Sequence, residues 1–180
     1  RGLGDVYKRQ LSDVFKELWV NAKKMKFSML TIGMVVALAY VMGDSGQTLA
    51  LGMFIAGAGA VYPFLAPILG WIGTYVTGSD TSANILFSGL QSSVGQQVGA
   101  GSYLGIDGMR HLLVGAGASG GVVGKMISPQ SLTIAATAIG LVGGESVILR
   151  KVFKFSIILL VLMCIIVGLM STPVLGWVVP

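Results

Sequence analysis

Gly73-Thr-Tyr-Val-Thr-Gly-Ser-Asp-Thr-Ser-Ala-Asn-Ile-Leu-Phe-Ser-Gly-Leu-Gln91 is the stretch that decides the fold of this chain. Five polar side chains (Ser79, Asp80, Thr81, Ser82 and Asn84) fall within six positions, directly after a long apolar run. Hydrocarbon has no water to satisfy such groups. Polar, irregular backbone therefore survives at membrane depth only where protein surrounds it or where it lines a cavity. A carboxylate there is costly and marks a candidate functional site. A second block, Ser119-Gly-Gly-Val-Val-Gly-Lys-Met-Ile-Ser-Pro-Gln-Ser131, repeats the theme with a lysine. Two glycine-broken polar stretches among apolar segments point to a transporter binding site. They are expected to meet around a small organic anion halfway across a bilayer.

Composition supports this. Of 180 residues, 54% are hydrophobic and only 11% charged, whereas soluble domains carry about a quarter charged residues. Mean hydropathy is +0.84. Such a chain cannot cover a soluble surface. The expected class is an all-α integral membrane protein, a polytopic helical bundle with broken helices and a re-entrant hairpin. The net charge of +5 comes from basic clusters beside apolar runs, a pattern of membrane orientation rather than of a nucleic-acid surface. Cys164, the single cysteine, lies in an apolar run and is expected to pack as a small hydrophobe. No Cys/His cluster suggests a metal, and no cofactor is expected.

Residues 1–10 fit nothing after them and are expected to be a non-native tail on a fragment. Residues 11–26 read as a cytoplasmic amphipathic or loop segment, and 27–180 as the C-terminal part of a membrane transporter domain. Within the latter, 27–42 forms a first apolar segment. A turn-rich loop follows over 43–48. A second apolar segment covers 49–75 and is expected to kink at Pro63 and Pro67. The apolar run 85–90 is too short to cross a membrane and reads as one arm of the re-entrant hairpin, with 91–97 as a polar stretch after it. Segments 111–126 and 132–149 are broken by glycines and Pro129, and 155–170 is the cleanest span. Lys23, Lys24 and Lys26 should be cytoplasmic, as should Arg150, Lys151 and Lys154.

A helix starting near Ser82 would take Ser79, Asp80 or Thr81 as its N-cap. Its free N–H groups and positive dipole end then form an anion site, the arrangement a small carboxylate needs. The bland alternative is that Asp80 merely caps a helix in a loop. The second block offers Ser119, Gly120, Gly121, Lys125, Ser128 and Gln130, with Lys125 balancing either a substrate carboxylate or Asp80. A lysine snorkelling to the cytoplasmic face explains Lys125 equally well. Pro129 suits a helix start after Ser128. Proton coupling needs a group that titrates in place. Asp80 is the first candidate and His111 the second. Glu145 is better explained as an ion pair with Arg150 or Lys151, and Asp107, Arg110 and His111 as an interfacial loop.

Several motifs carry nothing. Gly2-Leu-Gly-Asp5 matches an intramembrane aspartyl-protease signature but lies in the tail. Gly121-Val-Val-Gly-Lys-Met-Ile-Ser128 only partly echoes a phosphate-binding loop, with short spacing and no Ser or Thr directly after the lysine.

At these residues the chain resembles the bacterial L-lactate permease family. Gly78-Ser-Asp-Thr-Ser-Ala-Asn84, with Leu86-Phe87 and Leu90-Gln91, is similar to one signature of that family. The block from Ser119 to Ser131 resembles a second, and Thr137-Ala-Ile-Gly-Leu-Val-Gly143 with Glu145-Ser146 continues the likeness. The resemblance implies a non-enzymatic secondary transporter of the bacterial cytoplasmic (inner) membrane. It would import L-lactate, and D-lactate or glycolate as well, together with a proton. Its expected partners are the monocarboxylate, the proton and the lipid bilayer, with no nucleic acid; a homo-oligomer stays open. A sodium-coupled carboxylate transporter and a non-transporting membrane scaffold are the alternatives. One departure bears on substrate identity: Ala116-Gly-Ala118 stands where the family usually has Ala-Asn-Thr or Ala-Asn-Ser.

Overall fold

Seven α-helices follow one another in the computed structural model, which describes residues 11–141 and 143–179. They are α1 (Leu11–Asp44), α2 (Gln47–Ala56), α3 (Tyr62–Thr77), α4 (Asp80–Gly99), α5 (Gly105–Lys125), α6 (Pro129–Ala138) and α7 (Glu145–Met170). The described residues contain no strand. Residues 1–10, set aside as a tail, lie outside the described residues. The chain up to Val35 forms one unit and Val36–Pro180 another. In the first, Lys23 Nζ lies 5.5 Å from the centre of the Trp19 ring.

Several expected boundaries move. The polar stretch 11–26 and the apolar segment 27–42 are parts of one helix, because no proline or left-handed glycine interrupts them. The loop expected over 43–48 shrinks to a turn at Ser45 and Gly46, since Gly46 alone adopts φ +76°. The segment 49–75 does break, but between α2 and α3, where Gly59 turns left-handed (φ +57°), and not at its prolines. Pro63 sits in the first turn of α3, where a missing N–H costs nothing, and Pro67 is accommodated inside the same helix. The short arm expected over 85–90 belongs to the 20-residue α4, which runs straight through the polar stretch 91–97. Asp107, Arg110 and His111 lie on the first turns of α5, not in a loop.

Glycine lets α3 and α5 touch backbone to backbone. A β-carbon on Gly120 would overlap the Pro67 carbonyl oxygen, and one on Gly124 would overlap that of Trp71. A β-carbon on Gly70 would overlap the Gly117 carbonyl. Small residues permit this approach. The contact order, 67 with 120 and 71 with 124, makes the two helices parallel.

α4 returns antiparallel and packs alongside both. Near its far end Gly95 lies against the Arg110 backbone, and Gly99 against Gly105 and Ile106. Gln91, read from sequence as part of a polar stretch, is 1% exposed. Its Nε2 donates to the Ala66 carbonyl (3.0 Å), and its Oε1 accepts from Tyr62 Oη (2.8 Å). That pairing makes a buried amide tolerable. Leu90, Val94, Met109, Leu112 and Leu113 fill the core around it. α7 packs antiparallel on α3 and α5: Trp71 Nε1 donates to Ser156 Oγ (2.9 Å), Ser156 Oγ donates to Val123 O (3.3 Å), and Gly168 receives the Phe64 ring.

Two helical stretches, Gly59–Thr77 and Glu145–Met170, are long and apolar enough to cross a membrane. α4 and α5 have the length, about 30 Å at 1.5 Å per residue, but their polar faces keep their mean hydropathy low.

Gly120→Ala should force α3 and α5 apart, because the obstacle is backbone that cannot rotate away. The expected cost is about 1–3 kcal/mol or more, measured as a lowered Tm of the full-length protein in detergent. An unchanged Tm would contradict the close contact.

Candidate functional site

The turn between α3 and α4 meets the junction between α5 and α6. At the first, α3 ends because Gly78 turns left-handed (φ +69°), with its N–H on Thr74 O (2.9 Å). Ser79 is extended and caps α4, its Oγ accepting from Ser82 N (3.3 Å). Only these two residues separate the helices. Thr77 Oγ1 accepts from Ser79 N (3.2 Å) and tightens the turn. Asp80 follows in the first turn of α4, where the helix dipole favours a carboxylate.

At the second tip α5 ends with Lys125, and Ser128 starts α6. The Ser128 hydroxyl donates to Lys125 O (3.0 Å) and accepts from Ser131 N (3.4 Å), with Pro129 as the first helical residue. The expected Ser128–Pro129 helix start is present.

Asp80 is where the two tips touch. Its Oδ1 accepts from Thr74 Oγ1 and its Oδ2 from Asn84 Nδ2, each at 3.4 Å. Both bonds are long for a charged acceptor, so the carboxylate keeps capacity for another donor. The carboxyl group lies directly on Gly121: a β-carbon there would overlap Asp80 Oδ1 and lie 2.7 Å from Thr74 Oγ1. Lys125 Nζ does not pair with Asp80. It reaches across to the Gly78 carbonyl and also donates to Gln130 Oε1 (3.0 Å). Both acceptors are neutral, so the lysine forms no direct ion pair at the tip. Among the described residues the one ion pair joins Arg110 to Asp107 (3.6 Å). The ion pair expected at Glu145 is not formed; Glu145 opens α7 instead.

The predicted residues thus separate into groups. Ser79, Asp80, Asn84, Gly121, Lys125, Ser128 and Gln130 gather at the joined tips. Ser82 is buried beside its cap, and Thr81 is exposed on the outer side of the first turn. Gly120 lies under Pro67 and is part of the helix contact. Ser119 is elsewhere. It points to the α7 side of α5, donates to Gly115 O (2.9 Å), and shares with His111 a mainly apolar cavity of about 260 Å³ that Met163 and Met170 close. His111 is ten residues from Gly121, about 15 Å along the helix, and on that other face. Ser119 and His111 therefore do not join Asp80.

Ser156, at the start of the apolar run of α7, is level with Val123, two residues or about 3 Å beyond Gly121. The Asp80 seat is near the Arg150–Lys154 end of that run rather than at its middle. Gly117, the departure noted above, faces Gln91 one turn away from the seat: a β-carbon there would lie 3.5 Å from Gln91 Nε2.

Sequence reasoning missed Thr74, fully buried yet bonded to Asp80, and the Gly78 carbonyl. A threonine inside an apolar run gives no signal of its own; only its place one turn before Gly78 ties it to the tip.

A sequence model of the L-lactate permease family matches residues 5–174. The chain belongs to the L-lactate permease family. It is 45% identical over 167 residues to the L-lactate permease of Bacillus subtilis (strain 168), covering 93% of this chain and 28% of that protein. Against the glycolate permease GlcA of Escherichia coli (strain K12) it is 46% identical over 145 residues, 81% of this chain and 24% of the relative. The L-lactate permease of the same strain is 40% identical over 173 residues, 96% and 30% respectively. The chain thus spans less than a third of these relatives. No solved structure gives a significant match. These relatives are named permeases.

Gly121→Ala should displace the Asp80 carboxyl, which can swing aside. Uptake by the full-length permease is therefore expected to fall sharply while Tm drops less than for Gly120→Ala. Equal Tm losses for the two variants would argue that Gly121 is only a packing residue.

Proposed function

We propose that this chain is the site-bearing part of a multi-pass secondary transporter of the bacterial cytoplasmic membrane. It imports L-lactate, or a related short monocarboxylate such as D-lactate or glycolate, with a proton. The observation that carries the reading is the unpaired arrangement of Asp80 and Lys125 at two touching tips. An acid and a base that neutralised each other would leave nothing for a solute. Here each is held by neutral groups.

Lys125 is the residue for the solute carboxylate. Exchanging a carbonyl for a carboxylate strengthens its hydrogen bond, because the acceptor then carries charge. The N-termini of α4 and α6 both lie beside Lys125, and their positive dipole ends add to the attraction. Ser79, Asn84, Ser128 and Gln130 supply hydroxyl and amide groups near that position, while Thr81, on the outer side of the turn, does not. Asp80 carries the proton, being a carboxyl group with spare acceptor capacity within hydrogen-bond reach of α3 and in direct contact with α5. His111 and Ser119 stand apart, so neither is given a role in coupling. The turn between α3 and α4 lies at the end of the bundle that carries Arg150, Lys151 and Lys154, which charge bias puts on the cytoplasmic side.

Asp80→Asn in the complete permease should insert normally and lose lactate accumulation driven by an inward proton gradient; normal accumulation would remove Asp80 from the mechanism. Uptake should be abolished by an uncoupler and unaffected when choline replaces sodium, the reverse pattern favouring sodium coupling. Lys125→Gln is expected to raise KM for lactate by about tenfold or more, the scale of one hydrogen bond to a charged group, with Lys125→Arg closer to wild type.

A further inference from the structure

Thr74 is buried completely, lies on α3, and has its hydroxyl 3.4 Å from Asp80 Oδ1. The space both groups occupy exists because Gly121 has no side chain: a β-carbon there would strike each of them. Three helices therefore converge on one carboxyl group, with Thr74 from α3, Asp80 and Asn84 from α4, and bare backbone from α5.

A hydroxyl differs from an amide in such a place. It donates to an ionised carboxylate and, after rotating about its Cβ–Oγ bond, accepts from a protonated carboxyl. The Asn84 amide nitrogen, on the other oxygen, donates, and Asn84 accepts only after its whole amide group turns over. Thr74 satisfies Asp80 in both protonation states by rotation of a hydroxyl hydrogen alone. Its complete burial means that water cannot substitute for it, and an unsatisfied polar group there costs far more than one at the surface. The charged groups around Asp80 do not take over this task. Lys125 of α5 is engaged with Gly78 and Gln130. Arg150, Lys151 and Lys154 of α7 are exposed, α2 carries no charged residue, and α3 contributes only Tyr62 and Tyr75 as titratable groups.

From this geometry we infer that Thr74, seated in the gap left by Gly121, is the positioning residue that lets Asp80 gain and lose a proton in place. The inference rests on the reading of Asp80 as the proton carrier. Thr74 does not touch the solute. Its loss therefore uncouples transport from the proton gradient while solute exchange persists.

The test uses the complete permease in proteoliposomes with two assays: accumulation of labelled lactate driven by an inward proton gradient, and counterflow against unlabelled lactate inside with no gradient. Thr74→Val keeps the side-chain shape and removes the hydroxyl. It is expected to lose accumulation by about tenfold or more, the scale of one hydrogen bond to a charged group, with counterflow within about twofold of wild type. Thr74→Ser should retain both. Wild-type accumulation by Thr74→Val overturns the inference. So does loss of both activities in correctly inserted Thr74→Val protein, which would make Thr74 a structural residue. Should the valine variant fail to insert, Thr74→Ala is judged by the same two assays. Asp80→Asn run in parallel separates the two claims: normal accumulation by that variant defeats the Asp80 assignment itself, whereas its failure alongside wild-type behaviour of Thr74→Val defeats only the role of Thr74.

Discussion

The backbone contact between α3 and α5 is the constraint on which the rest depends. With glycine at 70, 117, 120 and 124, carbonyl oxygens of one helix lie against α-carbons of the other. No side chain intervenes, so the distance between the helices is fixed by main-chain atoms alone. This brings Gly121 within reach of the end of α3, and the tight Gly78–Ser79 turn then delivers Asp80 onto it. The chemistry at the tips follows from a packing decision made two turns earlier.

Helix ends complete the arrangement. Two helices end at the tips and two begin there, so orphan carbonyls and orphan amides occur side by side. Lys125 satisfies a carbonyl, while Ser79 and Ser128 satisfy amides. The tips are thus polar without being neutralised, which distinguishes them from the Gln91 side chain, whose amide nitrogen and oxygen both have protein partners.

Much of this was legible in the sequence and some was not. The Ser79 cap, the Ser128–Pro129 start and the meeting of the two glycine-rich blocks could all be read from local chemistry. Ser119 could have been read better: two residues before Gly121 is about 200° around a helix, so the pair cannot share a face. α4 was misjudged because Gln91 and its polar neighbours look like a loop, and only Tyr62 and the Ala66 carbonyl, distant in sequence, make a buried amide acceptable. The break before α3 was assigned to prolines when glycine φ decided it. Thr74 was invisible for the same reason as Gln91: its partner lies beyond a turn whose geometry had to be known first.

The buried Tyr62–Gln91 pair carries one last implication. It stitches α3 to α4 several turns below their shared turn, while glycine fuses α3 to α5 alongside. The three helices have no internal joint. Prising the trio open would strand amide, phenol and peptide dipoles in oil, so a transport cycle of the kind proposed would move the three helices as a single block against their surroundings.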